Sequence, residues 1–458
     1  MKELLDYFKA NEERYLKELT EFIAIPSISA DPARRKDISK TAAFVEKQLK
    51  GAGLKNVKQY ATKGNPVVYG EWLAAKDAPT VLVYGHYDVQ PVEPLEKWKT
   101  PPFTMTVKGG KMFARGTADD KGQVFILFKV IEAYLKIHKQ LPVNVKVIIE
   151  GEEEIGSTNL ATFVNNNKKL LSCDTVLIAD TNMLGKTKPS ITYGLRGLTY
   201  LEVSVTSLAG DQHSGSFGGG VANPIQVLAE MLVQCKDPKT SKIKIPGFYD
   251  DVVQLTKKDR AELAKIPHDD FLYAKALGAT KTFGEKGFST VERTGARPTF
   301  EINGIWGGHT GEGVKTVLPA SAHAKVSMRL VANQQPDKIA KMFIDYFKSV
   351  APDTVKVEVK LYDNNGHAAL TPLDSPAMRA AAVAIKKVYK QDPYYTREGG
   401  SIPVVADFQQ LLGADAILLG FGLPDDNIHA PNEKLDISQF RAGLATSAYF
   451  FDEFAKSK

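Results

Sequence analysis

Cysteine is nearly absent from the 458-residue chain: only Cys173 and Cys235 occur, and neither lies in a C-x-x-C pattern. Two are too few for a disulfide framework, so a pair of reduced, mostly buried thiols in a cytoplasmic protein is expected. Long hydrophobic runs are also lacking, since no stretch approaches the roughly 20 apolar residues of a membrane span. The opening segment, MKELLDYFKANEERYLKELTEFIAIPSIS, carries charges every few positions and reads as an amphipathic helix, unlike a signal peptide with its continuous apolar centre. Charge of one sign is scarce too. A net charge of +6 is mild for this length, and no Lys/Arg run concentrates it. No nucleic acid and no membrane partner is therefore expected, which leaves a small molecule or a peptide. Internal repeats and low-complexity segments are missing as well.

What is present is the composition of folded domains, 43% hydrophobic and 24% charged, in a chain too long for one ordinary core. Short apolar runs alternate with helical patterns through the first 190 residues. Helices are expected near 2–25, 38–53 and 122–138, and strands near 66–72, 80–84, 143–149 and 175–179. This alternation points to an α/β domain with a largely parallel or mixed sheet flanked by helices. Over 197–372 the order becomes β-α-β-β-α-β, which is ferredoxin-like. A Lys-rich insert over 236–297 interrupts that order and is expected to be a solvated excursion. Beyond 375 a helix, MRAAAVAIKKVYKQ, and a strand, DAILLGFG, resume the α/β style. The expected organisation is thus a discontinuous domain, 1–196 with 373–458, and an inserted one, 197–372.

Four apolar runs of the α/β part hand over to residues that bind metals. TVLVYG leads to His86 and Asp88, VNVKVIIE to the glutamates of EGEEEIGS, TVLIA to Asp180, and AILLGFG to a loop holding His429. Asp119, in ARGTADDKG, precedes the long helix. Ligands of open α/β sheets gather beyond the carboxyl ends of strands, so these loops can meet. Imidazoles and carboxylates without thiolates suit catalytic zinc, manganese or cobalt rather than a structural zinc site. Asp88 stands two residues from His86, a spacing at which a carboxylate can orient the imidazole. His138, His268 and His323 lie outside this pattern and are expected to be ordinary surface or core histidines.

The segments GHYDVQP, FARGTADDKG, EGEEEIGS, ITYGLRG, HSGSFGG, MRLVANQ, TREGGSIP and IHAPNEKL, in this order, resemble the zinc-dependent exopeptidases and deacylases that include carboxypeptidase G, aminoacylase and the succinyl-diaminopimelate desuccinylase. GHYDVQP and TREGGSIP are most similar to the branch of cytosolic nonspecific dipeptidases and carnosinases. The resemblance implies two divalent ions, zinc first, with His86 and Asp180 on one, Glu154 and His429 on the other, and Asp119 bridging both. It implies Asp88 as the orienter of His86 and Glu153 as general base, and leaves Glu150 and Glu152 to solvent or loop hydrogen bonds. A cis peptide is implied at Asp119-Asp120. It implies a homodimer formed through the inserted lid domain, with His213 stabilising the oxyanion across the interface. Arg329, with Gly400 and Ser401, is implied as the receiver of a substrate α-carboxylate, and Thr316 and His367 as further residues of that pocket. The stretch TNML after Asp180 and the loop DNNGHAAL around His367 depart from the dipeptidase pattern, so carnosine preference is not carried over. The implied reaction is hydrolysis of dipeptides or short peptides. Deacylation of N-acyl amino acids is the alternative on the same site, and an inactive metal-binding scaffold is a third reading that the presence of Glu153, Asp119 and His213 opposes.

Overall fold

The computed structural model describes residues 1–363, 365–400 and 402–457. The chain divides into two compact units, one of Met1–Tyr193, Thr371–Thr396 and Val404–Lys458, the other of Gly194–Leu370 and Arg397–Pro403. The breaks fall at 193 and 370 rather than at 196 and 372, and the short segment Arg397–Pro403, which carries Gly400, goes with the second unit.

In the first unit the sheet runs Lys55–Tyr60, Val67–Trp72, Asn144–Glu150, Thr80–His86, Thr175–Ile178, Asp415–Leu418, with Ser190–Leu195 beyond. The four strands from Asn144–Glu150 to Asp415–Leu418 are mutually parallel. Their side chains are buried on both faces, which is why they read as unbroken apolar runs rather than alternating ones. Register puts His86 beside Glu150, Tyr84 beside Ile178, and Ile178 beside Leu418, so the carboxyl ends of all four strands lie side by side. The Lys121–Ile137 helix is buried at every residue from Lys121 to Tyr134, including the polar Lys121, Gln123, Lys129 and Glu132.

Some elements differ from expectation. The helix expected over 2–25 is two, Lys2–Ala10 and Glu12–Ile23, parted at Asn11 where ψ rises to 7°. The Lys55–Tyr60 strand (KNVKQY) was not expected; it is an outermost strand with mostly exposed residues and has no apolar periodicity to betray it. The Ile437–Phe454 helix was missed as well. It buries eleven of its residues, including Ser447 and Thr446, on more than one face, so no single stripe marks it.

The second unit holds a four-stranded antiparallel sheet in the order Thr299–Gly307, Ser321–Leu330, Gly197–Thr206, Lys356–Leu361. With the helices Pro224–Cys235 and Pro336–Ser349 this is the β-α-β-β-α-β arrangement. Alternate residues of the strands, Leu201, Val203, Val326 and Met328 among them, meet Leu228, Met231, Phe343 and Phe347 of the helices in one core. The opposite face of the sheet carries Ser327 and Arg329. The insert over 236–297 is more than a solvated excursion: Ile243, Ile245 and Phe248 enter that core, and three short helices follow, Lys257–Leu263, Asp270–Ala276 and Thr290–Gly295. Among the described residues no helix is long and apolar enough to cross a membrane.

Candidate active site

His86 is the last residue of its strand, and its ring is fully buried. Its Nε2 lies 3.1 Å from Asp119 Oδ1 and 3.7 Å from Asp180 Oδ2. On the other side of Asp119, Oδ2 lies 2.8 Å from His429 Nε2, which is 3.2 Å from Glu154 Oε2. Two groups able to hold a metal ion result, His86 with Asp119 and Asp180, and Asp119 with Glu154 and His429, each with its ligand atoms within 4.8 Å of one another. One carboxylate is common to both, and all five residues belong to the first unit.

The supporting contacts explain how the chain brings them there. Asp88 faces His86 Nδ1 at 3.3 Å through Oδ1, and its two oxygens accept the successive backbone N–H groups of Glu153 (3.2 Å) and Glu154 (3.1 Å). One buried carboxylate thus orients an imidazole and fixes the turn that presents the two glutamates. Gln90 Nε2 donates to Glu154 Oε2 at 2.8 Å. Asp120 accepts the His86 N–H at 3.1 Å, an approach that needs Gly85, where a Cβ would come within 2.7 Å of the same carboxylate. The Asp119-Asp120 peptide is cis. His429 adopts φ +59°, the left-handed region that a non-glycine residue seldom occupies, and its loop is pinned by Lys434, 2.8 Å from Asp425, 2.5 Å from Asp426 and 3.0 Å from Asp436.

The electrostatics are those of a centre short of positive charge. Burial pushes Glu153 up to about 7 against the pull of His86. Burial, then the charge of Asp119, raises Glu154 and Asp180. Asp119 is held well below the usual carboxylate range by the two imidazoles, despite its burial. His429 is pushed up to about 10 by its hydrogen bonds to Asp119 and Glu154. Glu154 Oε1 is buried with no hydrogen-bond partner, a costly state for a carboxylate oxygen unless a cation meets it. The N/O donor set and this orphaned atom fit divalent metal ions.

Of the two alternatives for Glu150 and Glu152, solvent or hydrogen bonds within the loops, the structure shows the hydrogen bonds. Both are buried; Glu150 accepts from Tyr84 and Ser157 hydroxyls at 2.7 Å each, and Glu152 from the Asn65 N–H and Asn159 Nδ2 at 2.9 and 2.8 Å. Glu433 and Arg115 were not among the residues expected to build the site. Glu433, fully buried, accepts the backbone N–H groups of Gly116, Ala118 and Asp119 at 2.8–3.1 Å and pairs with Arg115 Nη1 at 2.8 Å. It stands four residues after His429 and so ties the loop of one ligand to that of another. The only signal was the NEKL tail of a matching segment.

The other candidates lie in the second unit. His213 is exposed, accepts the Gly215 N–H at Nδ1 (3.1 Å), and has Thr316 Oγ1 3.4 Å from Nε2. Arg329 is half-buried and pairs in register with Leu198, which in turn pairs with Gly366, next to His367. Gly400 is exposed, and Ser401 lies outside the described residues. His138, His268 and His323 belong to neither metal-binding group: they contact Glu3, Asp270, and the Ser204 and Ser321 hydroxyls respectively.

Residues 82–453 match Peptidase family M20/M25/M40. The chain belongs to that family. This M20 peptidase is 36% identical to the Cys-Gly metallodipeptidase DUG1 of Candida albicans, over 99% of this chain and 97% of that one. It is 30% identical to the human Beta-Ala-His dipeptidase, over 100% and 93% of the two. Among solved structures it is similar to the M20 family metallo-carboxypeptidase Sso-CP2 of Sulfolobus solfataricus, with a TM-score of 0.82 and 33% identity over 96% of this chain and 99% of that one.

Proposed function

We propose that this M20 peptidase is a dipeptidase that cleaves unblocked dipeptides or short peptides with the help of two divalent ions. The observation that carries the reading is Asp119, whose two carboxylate oxygens face one imidazole each, His86 and His429, within separate ligand groups. His86 and Asp180 would hold one ion, Glu154 and His429 the other, and Asp119 both. Zinc suits this donor set, and manganese and cobalt also accept it. When bound, such ions supply Lewis acidity and acidify a water toward neutral pH.

The chain's own residues do the rest. Glu153 takes the proton of the attacking water and delivers it to the leaving amine, a role worth roughly 10²- to 10⁴-fold. Its burial favours a carboxyl that can both accept and return a proton. Asp88 acts through others, holding His86 and the Glu153–Glu154 turn. His213, exposed and steadied by Gly215, offers an N–H to a developing oxyanion, and the family resemblance supports its doing so in the active site of the partner within a homodimer. Arg329, with Gly400 and Ser401, receives the substrate α-carboxylate, for which a guanidinium fork is suited; Thr316 and His367 flank that pocket. The inserted unit, 197–372, serves as lid and dimer surface to the di-metal domain, 1–196 with 373–458. The names of the relatives favour peptides over N-acyl amino acids. Comparing hydrolysis of a dipeptide panel with that of N-acetyl and N-succinyl amino acids tests this; turnover of the acylated compounds alone would overturn it.

A further inference from the structure

The helix Glu12–Ile23 runs out into a short strap, Phe22 to Ile28 (FIAIPSI), where Pro26 disfavours a helical conformation for Ile25 before it. The strap is buried, with Ile25 and Ile28 each 5% exposed and Ser27 not at all. It contains no acid, base or metal-binding side chain. Its polar atoms nevertheless reach both the loop that follows His86 and the helix that follows Asp119, all within the first unit.

Ser27 makes the first connection. Its Oγ donates to Tyr87 O at 2.6 Å, and its own carbonyl accepts the Val89 N–H at 2.9 Å, next to a parallel bridge between Ile28 and Val89. These two peptide groups are the ones that flank Asp88. A residue has only two soft backbone dihedrals, so clamping the planar peptide on either side fixes the direction in which Asp88 projects its carboxylate. The second of these peptides also places Asp88 O 3.1 Å from His86 Nδ1, beside the Asp88 carboxylate at 3.3 Å. Ser27 thus bears on His86, and on the Glu153–Glu154 turn, through Asp88.

Lys121 makes the second. Fully buried two residues after Asp119, it donates from Nζ to Phe22 O at 3.1 Å and Ile25 O at 2.7 Å. Carbonyls at the end of a helix lack intrahelical donors, and a lysine is a fitting partner for them. Gly116 closes the junction: it sits at φ +89°, and a Cβ there would come 2.9 Å from Val89 Cγ1, 3.3 Å from Lys121 Cδ and 3.5 Å from Ile23 Cδ1. Each of those atoms belongs to a different one of the three segments.

We infer that Ser27 and Lys121 are positioning residues of the di-metal centre. The strap is a common anchor that sets the His86–Asp88 loop and the Asp119 loop relative to each other, and with them the 3.1 Å approach of Asp119 to His86. The inference rests on the di-metal reading of the proposed function. Ser27 acts through Asp88, and Lys121 through Asp119, which belongs to both ligand groups.

Zinc affinity of the metal-stripped full chain, read by competition with a chromophoric chelator, tests this alongside urea unfolding of the same stripped chain. Ser27→Ala weakens at least one of the two zinc equivalents about tenfold, in line with loss of a partner that supports a ligand. Lys121→Met weakens both. Thr41→Val is the control, because Thr41 Oγ1, also fully buried, donates to Asp37 O at 2.7 Å within the helix Arg35–Ala52, away from the strap. It lowers the urea midpoint and leaves zinc affinity at the wild-type value, as a merely structural role would. Wild-type affinity in Ser27→Ala, an equal loss in Thr41→Val, or a folded Lys121→Met that holds both ions as tightly as wild type overturns the inference. No peptide enters these measurements, so their failure leaves the peptidase reading standing. Wild-type protein that binds two zinc ions and cleaves no dipeptide fails that reading alone.

Discussion

Four carboxylates within five positions, Glu150, Glu152, Glu153 and Glu154, coexist because each has a different environment. Glu150 and Glu152 accept hydrogen bonds from hydroxyl, amide and backbone donors around them, and burial pushes Glu150 up to about 8. Glu154 reaches His429, whereas Glu153 is tied to the cluster through its backbone N–H, and its carboxyl is the proposed proton carrier. The two neighbours are therefore separable by mutation. Glu153→Gln should retain both metal equivalents, measured by plasma mass spectrometry, while kcat falls roughly 10²- to 10⁴-fold. Glu154→Ala should lose one metal equivalent of two, because a ligand that closes one of the two groups is gone. The ligand candidates were legible because imidazoles and carboxylates recur where apolar runs end. The structural jobs of Glu150 and Glu152 were not, since partners such as Tyr84, Ser157 and Asn159 carry no pattern that points back to them.

At the level of elements, the centre exists because four parallel strands end at one edge and because two loops are locked to each other. Glu433 is the lock. Its carboxylate accepts three backbone N–H groups of the Asp119 loop and pairs with Arg115, itself only 1% exposed. Glu433→Ala should destabilise the protein by about 3–5 kcal/mol in urea unfolding, because it strands a buried guanidinium, and should reduce metal occupancy as the Asp119 and His429 loops part. Full stability in that variant would show that the contacts are incidental. The buried parallel strands announce themselves by nearly continuous apolar runs, and the long helix Lys121–Ile137 by its apolar core VFILF. Lys55–Tyr60 does not, being held by hydrogen bonds to Val67–Trp72 more than by side-chain burial.

Across the whole molecule, the candidate metal-binding residues lie in one unit, and the candidate oxyanion residue His213 and candidate substrate-binding residues Arg329 and Thr316 lie in the other, a unit of different architecture. The ferredoxin-like order of the second unit was readable because its strands alternate cleanly. The role of its insert was not, because Ile243, Ile245 and Phe248 anchor a segment whose lysines dominate the composition. If His213 serves the partner's site, His213→Ala and Glu153→Gln are each nearly inactive alone, yet mixing equal amounts through dissociation and reassembly restores about a quarter of wild-type activity, since half of the dimers then carry one intact site. Absence of recovery would place His213 outside the partner's site.

Dipeptide hydrolysis by this chain is proposed to depend on a pair of divalent ions held by His86, Asp119, Glu154, Asp180 and His429. The most direct measurement is activity against a dipeptide library after complete metal removal and separate reconstitution with zinc, manganese and cobalt, with the bound ions counted. The stripped protein should show no turnover, and recovery should rise with occupancy to two ions per chain. Undiminished turnover without metal, or two bound ions with no dipeptide cleaved, would contradict it.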